Sequence, residues 1–163
     1  MSLWRHAAAV LLLPVVVTIA VPALIVWRTE ASIGWRGLIG LPLIALGLLL
    51  IVRTIALFVS VGRGTLAPWD PTTRLVVRGP YRYVRNPMIS GVLFVLLGEA
   101  ALFGSLALLL WFGLVAAVNA VYMPLVEEPG LQRRFGEEYE RYRAHVPRWI
   151  PRVRPWDGQE SGR

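Results

Sequence analysis

One stretch decides most of what this chain can become: Met88 to Val126 runs thirty-nine residues with a single charge, Glu99. As one helix, at 1.5 Å per residue, it would be about 58 Å long, roughly twice the ~30 Å hydrocarbon core of a bilayer. The sequence therefore predicts two helices, about 88–103 and 106–126, folded into a hairpin by a turn at Phe103, Gly104 and Ser105. Ala7 to Trp27 supplies twenty-one uncharged residues, and Gly37 to Val61 a further run broken by Arg53, whose stem can snorkel to an interface. The first run exceeds a signal peptide's apolar region of roughly 7 to 15 residues and closes on no small-residue cleavage site. It reads as an anchor, kinked at Pro14 and Pro22.

Composition agrees, with 56% hydrophobic and 17% charged residues against roughly 25% charged in soluble domains. All seventeen basic residues are Arg and ten residues are acidic, a net charge of +7 suited to lipid headgroups rather than nucleic acid. The lack of Cys and Lys, with His6 and His145 as the two imidazoles, excludes disulfide, thiolate and lysine chemistry and predicts no metal site. Arg63, Arg74, Arg78, Arg82 and Arg85 lie between the second and third runs, and eight more Arg follow Val126. The first connection has Arg28 and Arg36 with Glu30, and the hairpin tip none. The positive-inside rule then puts both termini and the Arg-rich segments in the cytoplasm.

The expected fold is an all-α integral membrane protein: four transmembrane helices, about 7–27, 37–61, 88–103 and 106–126, with a cytoplasmic amphipathic C-terminal helix over about 127–145. Residues 1–151 form one domain, and 152–163, rich in Gly, Pro and charge, are expected to be disordered.

The hairpin brings two polar segments together. The first, Arg74 to Met88, carries Gly79-Pro80 and Asn86-Pro87 as turn and helix-start signals. The free N–H groups of the helix start, with Arg85, would make an electropositive nest for a carboxylate or phosphate. The second opens with Glu127 and Glu128, then places Leu131, Phe135, Tyr139 and Tyr142 four, four and three apart, on one helix face. Glu137, Glu138 and Glu140 read as helix-pairing charges for Arg133, Arg134 and Arg141. Glu99 reads as a packing carboxylate, and both His as interfacial side chains. A carboxylate where a buried helix ends needs a partner, so Glu127 is expected either to pair with Arg85 or to hold a ligand.

Gly79-Pro80-Tyr81, Arg85-Asn86-Pro87 and Gly91, then a hairpin, then Glu127-Glu128, Leu131, Phe135-Gly136, Tyr139, Tyr142 and Val146-Pro147-Arg148 form an ordered set over about residues 73–151. This half of the chain resembles the catalytic half of the isoprenylcysteine carboxyl methyltransferases, to which phospholipid N-methyltransferases are related. The resemblance implies a membrane enzyme that uses S-adenosylmethionine outside the Gly-x-Gly-x-x-Gly design, which is absent here. It implies cofactor contacts from Thr73, Arg74, Leu75, Val76, Tyr81, Asn86, Pro87, Met88, Ile89 and Glu127. The chain departs from the family at Asn86, usually His, at Ile89, commonly Tyr, and at Met123, where the prenylcysteine enzymes carry an Arg for the substrate carboxylate.

Arg85 and Glu128 are the candidate catalytic residues, and Met123 the candidate substrate contact. A carboxylate acceptor needs no base, whereas an amine must lose a proton, for which Glu128 is the available acceptor. The expected partners are membrane lipids and a lipophilic small-molecule carboxylate, thiol or amine. Two alternatives stand beside this reading: a nicotinamide-dependent membrane reductase of the steroid-reductase-like type, and a non-enzymatic four-helix protein whose Arg clusters bind anionic headgroups.

Overall fold

A computed structural model describes residues 14–61 and 75–158. All regular structure among them is helical. A π turn, Val16–Ala20, runs into α1, Val21–Thr29. A 3-10 turn, Trp35–Ile39, leads into α2, Gly40–Val61. After the 3-10 turn Gly79–Arg82 come α3, Pro87–Phe103, and α4, Leu106–Tyr122. A second π turn, Met123–Glu127, joins α4 to α5, Glu128–Phe135, and α6 spans Glu137–His145. Two of these helical stretches, Gly37–Leu57 and Leu106–Phe135, are long and apolar enough to cross a membrane. Val16–Thr29 and Pro87–Phe103 are apolar but shorter, and residues 7–13 of the expected first span lie outside the described residues.

The hairpin forms where the sequence expects it. Gly104 closes α3 in the left-handed conformation, φ 55°, and the Ser105 hydroxyl caps α4 by accepting from the Leu108 N–H at 3.4 Å.

Helix α3 is the centre of the bundle, packed against α2 on one side and α4 on the other. On the α2 side the contact is backbone against backbone. A Cβ on Gly40 would sit 2.2 Å from the Gly98 carbonyl oxygen, and one on Gly98 2.7 Å from that of Gly40. Gly47 and Gly91 repeat the arrangement at 2.5 and 2.8 Å, seven residues along each antiparallel helix. Small residues allow this approach, which gives dispersion contact where lipid supplies no hydrophobic drive. On the α4 side, side chains meet: Val92, Leu96 and Val115 form the buried cluster, with Trp111 and Phe112 against it.

Pro22 does not simply kink its helix. Each π turn precedes an X-Pro pair, Val21-Pro22 or Glu128-Pro129, and the residue before the proline donates to the carbonyl five back, Val16 or Met123. Widening the turn moves the preceding carbonyls clear of a ring that has no N–H to donate to them and would otherwise clash. The Trp111 indole donates to the Val17 carbonyl at 3.0 Å, tying α4 to the first π turn.

The single amphipathic helix expected over 127–145 is two helices. Helix continues without interruption from α4 through α5 to Phe135 and stops at Gly136, whose φ 52°, ψ −127° is open to a residue without Cβ. Its apolar stripe is nevertheless intact. Leu131 and Phe135 from α5, Tyr139, Tyr142 and Val146 from and after α6, and Leu75 and Val77 from the incoming loop share one core with Trp156. The stripe therefore faces protein.

The expected disorder from Arg152 does not hold as far as Gly158. Trp156 stacks on His145 with centroids 5.4 Å apart and planes at 9°, and the Arg152 guanidinium donates to the His145 carbonyl at 2.7 Å. An aromatic anchor offsets the ordering cost that the polar composition suggested would go unmet. Residues 159–163 lie outside the described residues.

Candidate functional site

The site lies where the entry to α3 meets the turn between α4 and α5. Asn86 caps α3 with its backbone, its carbonyl accepting the Ser90 N–H and hydroxyl, both at 3.0 Å. Pro87 is buried in the first helical turn, as a residue with no N–H to leave unpaired. Met88 and Ile89 follow, half-buried. The Asn86 amide nitrogen and Arg85 Nε are buried with no hydrogen-bond partner among the described residues.

Arg85 reaches across to Glu128, Nη1 to Oε1 3.0 Å, and donates from the same nitrogen to the Tyr139 hydroxyl at 3.2 Å. Arg148 grips the same carboxylate from the other side, Nε to Oε1 at 2.5 Å and Nη2 to Oε2 at 2.9 Å. The two polar segments therefore meet, but Arg85 pairs with Glu128 where the sequence suggested Glu127. The π turn is the reason. An extra residue in one turn rotates everything after it by about 100°, so Met123, 4% exposed, aligns with Glu128, 5% exposed, five residues on.

The apolar part of this helix ends at Val126, and the two carboxylates beyond it differ in environment. Burial pushes the Glu128 carboxyl up, but the Arg148 hydrogen bonds and the charges of Arg85 and Arg148 outweigh it and hold it below the ordinary value. Burial, with help from the Glu128 charge, raises that of Glu127. No cation among the described residues lies within ion-pair distance of Glu127. Glu127 also acts on Tyr81, whose phenol is pushed well above its ordinary range by burial, then by Tyr142 and Glu127.

Of the other expected cofactor residues, Leu75 joins the α5–α6 core and Val76 is 6% exposed, while Thr73 and Arg74 lie outside the described residues. Arg148 and Tyr139 were named in the motif set without a role. Only the third dimension shows that a residue twenty positions after Glu128 completes its ion pair. Among the described residues no group of His, Asp and Glu could hold a metal ion.

Comparison with known proteins places these groups in a family context. Over 79 residues the chain is 38% identical to the protein-S-isoprenylcysteine O-methyltransferase of Schizosaccharomyces pombe, a match covering 48% of this chain and 34% of that protein. The match thus spans about a third of the relative's length. No solved structure matches the chain. Residues 35–138 match the phospholipid methyltransferase family, a stretch that takes in α2 to α5 with Arg85, Asn86, Met123, Glu127 and Glu128. More than half of the chain lies within that match, and the chain belongs to the phospholipid methyltransferase family.

Proposed function

We propose that the chain is an S-adenosylmethionine-dependent methyltransferase held in the membrane by four helices, with both ends and the active site on the cytoplasmic side, acting on a lipophilic acceptor. The observation that carries this is the family match across the junction of the α3 entry with the α4–α5 turn. It favours methyl transfer over the nicotinamide reductase.

The residues present suit the cofactor. Asn86 Nδ2, buried without a partner, would donate to a ribose or purine acceptor, and Glu127 would accept from a ribose hydroxyl or the amino group. When bound, S-adenosylmethionine supplies an electrophilic methyl carbon on a sulfonium centre. The chain's own task is then to bring the nucleophile to roughly 3 Å in line and to exclude water. The Tyr81 ring offers an aromatic face to the cation.

The geometry narrows the acceptor. Glu128, ionised between two guanidinium groups, is a weak proton acceptor, so an amine gains little from it. Arg85 Nε is a buried donor with no acceptor, a fit for an incoming carboxylate, which needs no base. We therefore favour a lipophilic carboxylate over an amine or thiol. Met123, apolar and buried, stands where the resemblance implies Arg, so prenylcysteine analogues should be poor acceptors and Met123→Arg should improve them. The test is labelled-methyl transfer from S-adenosylmethionine into fatty carboxylates, long-chain amines and farnesylated cysteine, with the chain in lipid vesicles. Transfer to none of them, together with no binding of S-adenosylhomocysteine, would overturn the proposal.

A further inference from the structure

The family match ends at residue 138, yet the groups that fix the loop carrying Tyr81, Arg85 and Asn86 come from beyond it. The Tyr142 hydroxyl donates to the Tyr81 carbonyl at 2.8 Å. The Trp156 N–H donates to the Arg82 carbonyl and the Arg152 N–H to that of Tyr83, each at 3.0 Å, while the Arg85 N–H donates to the Pro147 carbonyl at 2.9 Å. Arg82 returns the contact, Nε donating to the Trp156 carbonyl at 2.9 Å and the guanidinium pairing with Asp157. The Trp156 ring in turn lies on His145 and, at 5.8 Å between centroids, on Tyr142. Four backbone positions of the loop, 81, 82, 83 and 85, are thus held from residues 142–156, and two of them, 82 and 83, from Arg152 and Trp156.

Within itself this loop has a single 3-10 turn, Gly79–Arg82. Short 3-10 turns with few internal bonds open readily, so the direction in which Arg85 and Asn86 point depends on what holds the loop from outside. We propose that Arg152–Asp157 is a strap that positions the Tyr81–Asn86 loop for ligand binding, with Trp156 as the positioning residue. The consequence for binding rests on the methyltransferase reading; the clamping of the loop does not.

The test compares the full chain with its Trp156→Ala, Trp156→Phe and Arg82→Gln variants in detergent micelles. Two quantities are read: amide hydrogen exchange over residues 81–86, and affinity for S-adenosylhomocysteine. With Trp156→Ala the exchange of this segment should quicken while α3 and α4 keep their protection. If the binding-competent loop falls to about a tenth of the population, affinity falls about tenfold. Trp156→Phe keeps a ring on Tyr142 and should restore affinity to within about twofold, and Arg82→Gln should show the same exchange pattern more weakly. Unchanged exchange over 81–86 in both Trp156→Ala and Arg82→Gln overturns the strap. Lowered thermal stability with unchanged affinity overturns its positioning role. Quickened exchange in a chain whose unmodified form binds no S-adenosylhomocysteine supports the clamp and overturns the methyltransferase reading instead.

Discussion

Replacing Glu128 by Gln tests the pairing that joins the α3 entry to the α4–α5 turn. The Arg85 and Glu128 side chains are 10% and 6% exposed, so this pair belongs with buried ion pairs rather than with surface pairs worth 0–1 kcal/mol. Removing one partner of a buried pair costs about 3–5 kcal/mol, because the charge left behind stays uncompensated. Two facts lower the figure here: Gln keeps one acceptor oxygen, and Arg148, 30% exposed, can turn toward water. The expected loss is about 2–3 kcal/mol, most of it from Arg85, which has less access to solvent. Glu127→Gln, at a carboxylate with no cation partner among the described residues, should change stability by less than about 0.5 kcal/mol. Equilibrium unfolding in mixed micelles, followed by Trp fluorescence, measures both. Equal costs for the two variants, or a Glu128→Gln cost below about 0.5 kcal/mol, would refute the phase shift assigned to the π turn.

Glu127→Gln should instead weaken S-adenosylhomocysteine binding about ten- to a hundredfold, the worth of one charge-assisted hydrogen bond of roughly 1.5–3 kcal/mol, as calorimetry would show. Because the Glu128 carboxyl lies below its ordinary value of 4.5, its contribution to stability is present above that value and is lost as pH falls through the lowered one. Acid unfolding midpoints should therefore show a pH-dependent loss in the unmodified chain that is smaller in Glu128→Gln. Gly40→Ala or Gly98→Ala drives a methyl into facing backbone and should cost about 3 kcal/mol or more. Gly113→Ala, with nothing within 4 Å of the added methyl, should leave unfolding unchanged or slightly improved.

The hairpin, the meeting of the two polar segments and the apolar stripe from Leu131 to Tyr142 were legible because each follows from local spacing. The exchange of Glu127 for Glu128 was not. Pro124 and Pro129 signal an irregular helix, but a proline can be met by a kink, a break or a widened turn, and each gives the downstream residues a different rotation. Gly136 looked like one residue of a helix because a sequence does not display φ and ψ. The strap was hidden by its own composition: Arg152 to Gly158 is rich in charge and carries Pro155 and Gly158, and its order comes from Trp156 meeting His145 and Tyr142. The seam of Gly40, Gly47, Gly91 and Gly98 was present in the spacing, seven residues apart in each helix, and becomes meaningful only once α2 and α3 are set side by side.

That seam also bears on which parts of the bundle can move. Where glycine backbone meets glycine backbone at two levels there is little side chain to give way, so a slide of α2 along α3 would meet collision at both. Helix α4 is different: it rests on α3 through Val92, Leu96 and Val115, side chains that can change rotamer while the helices shift by an ångström or so. A fatty molecule arriving sideways from the bilayer would thus find one stiffer wall and one more compliant wall. The compliant one leads directly to Met123 and the carboxylates that follow it.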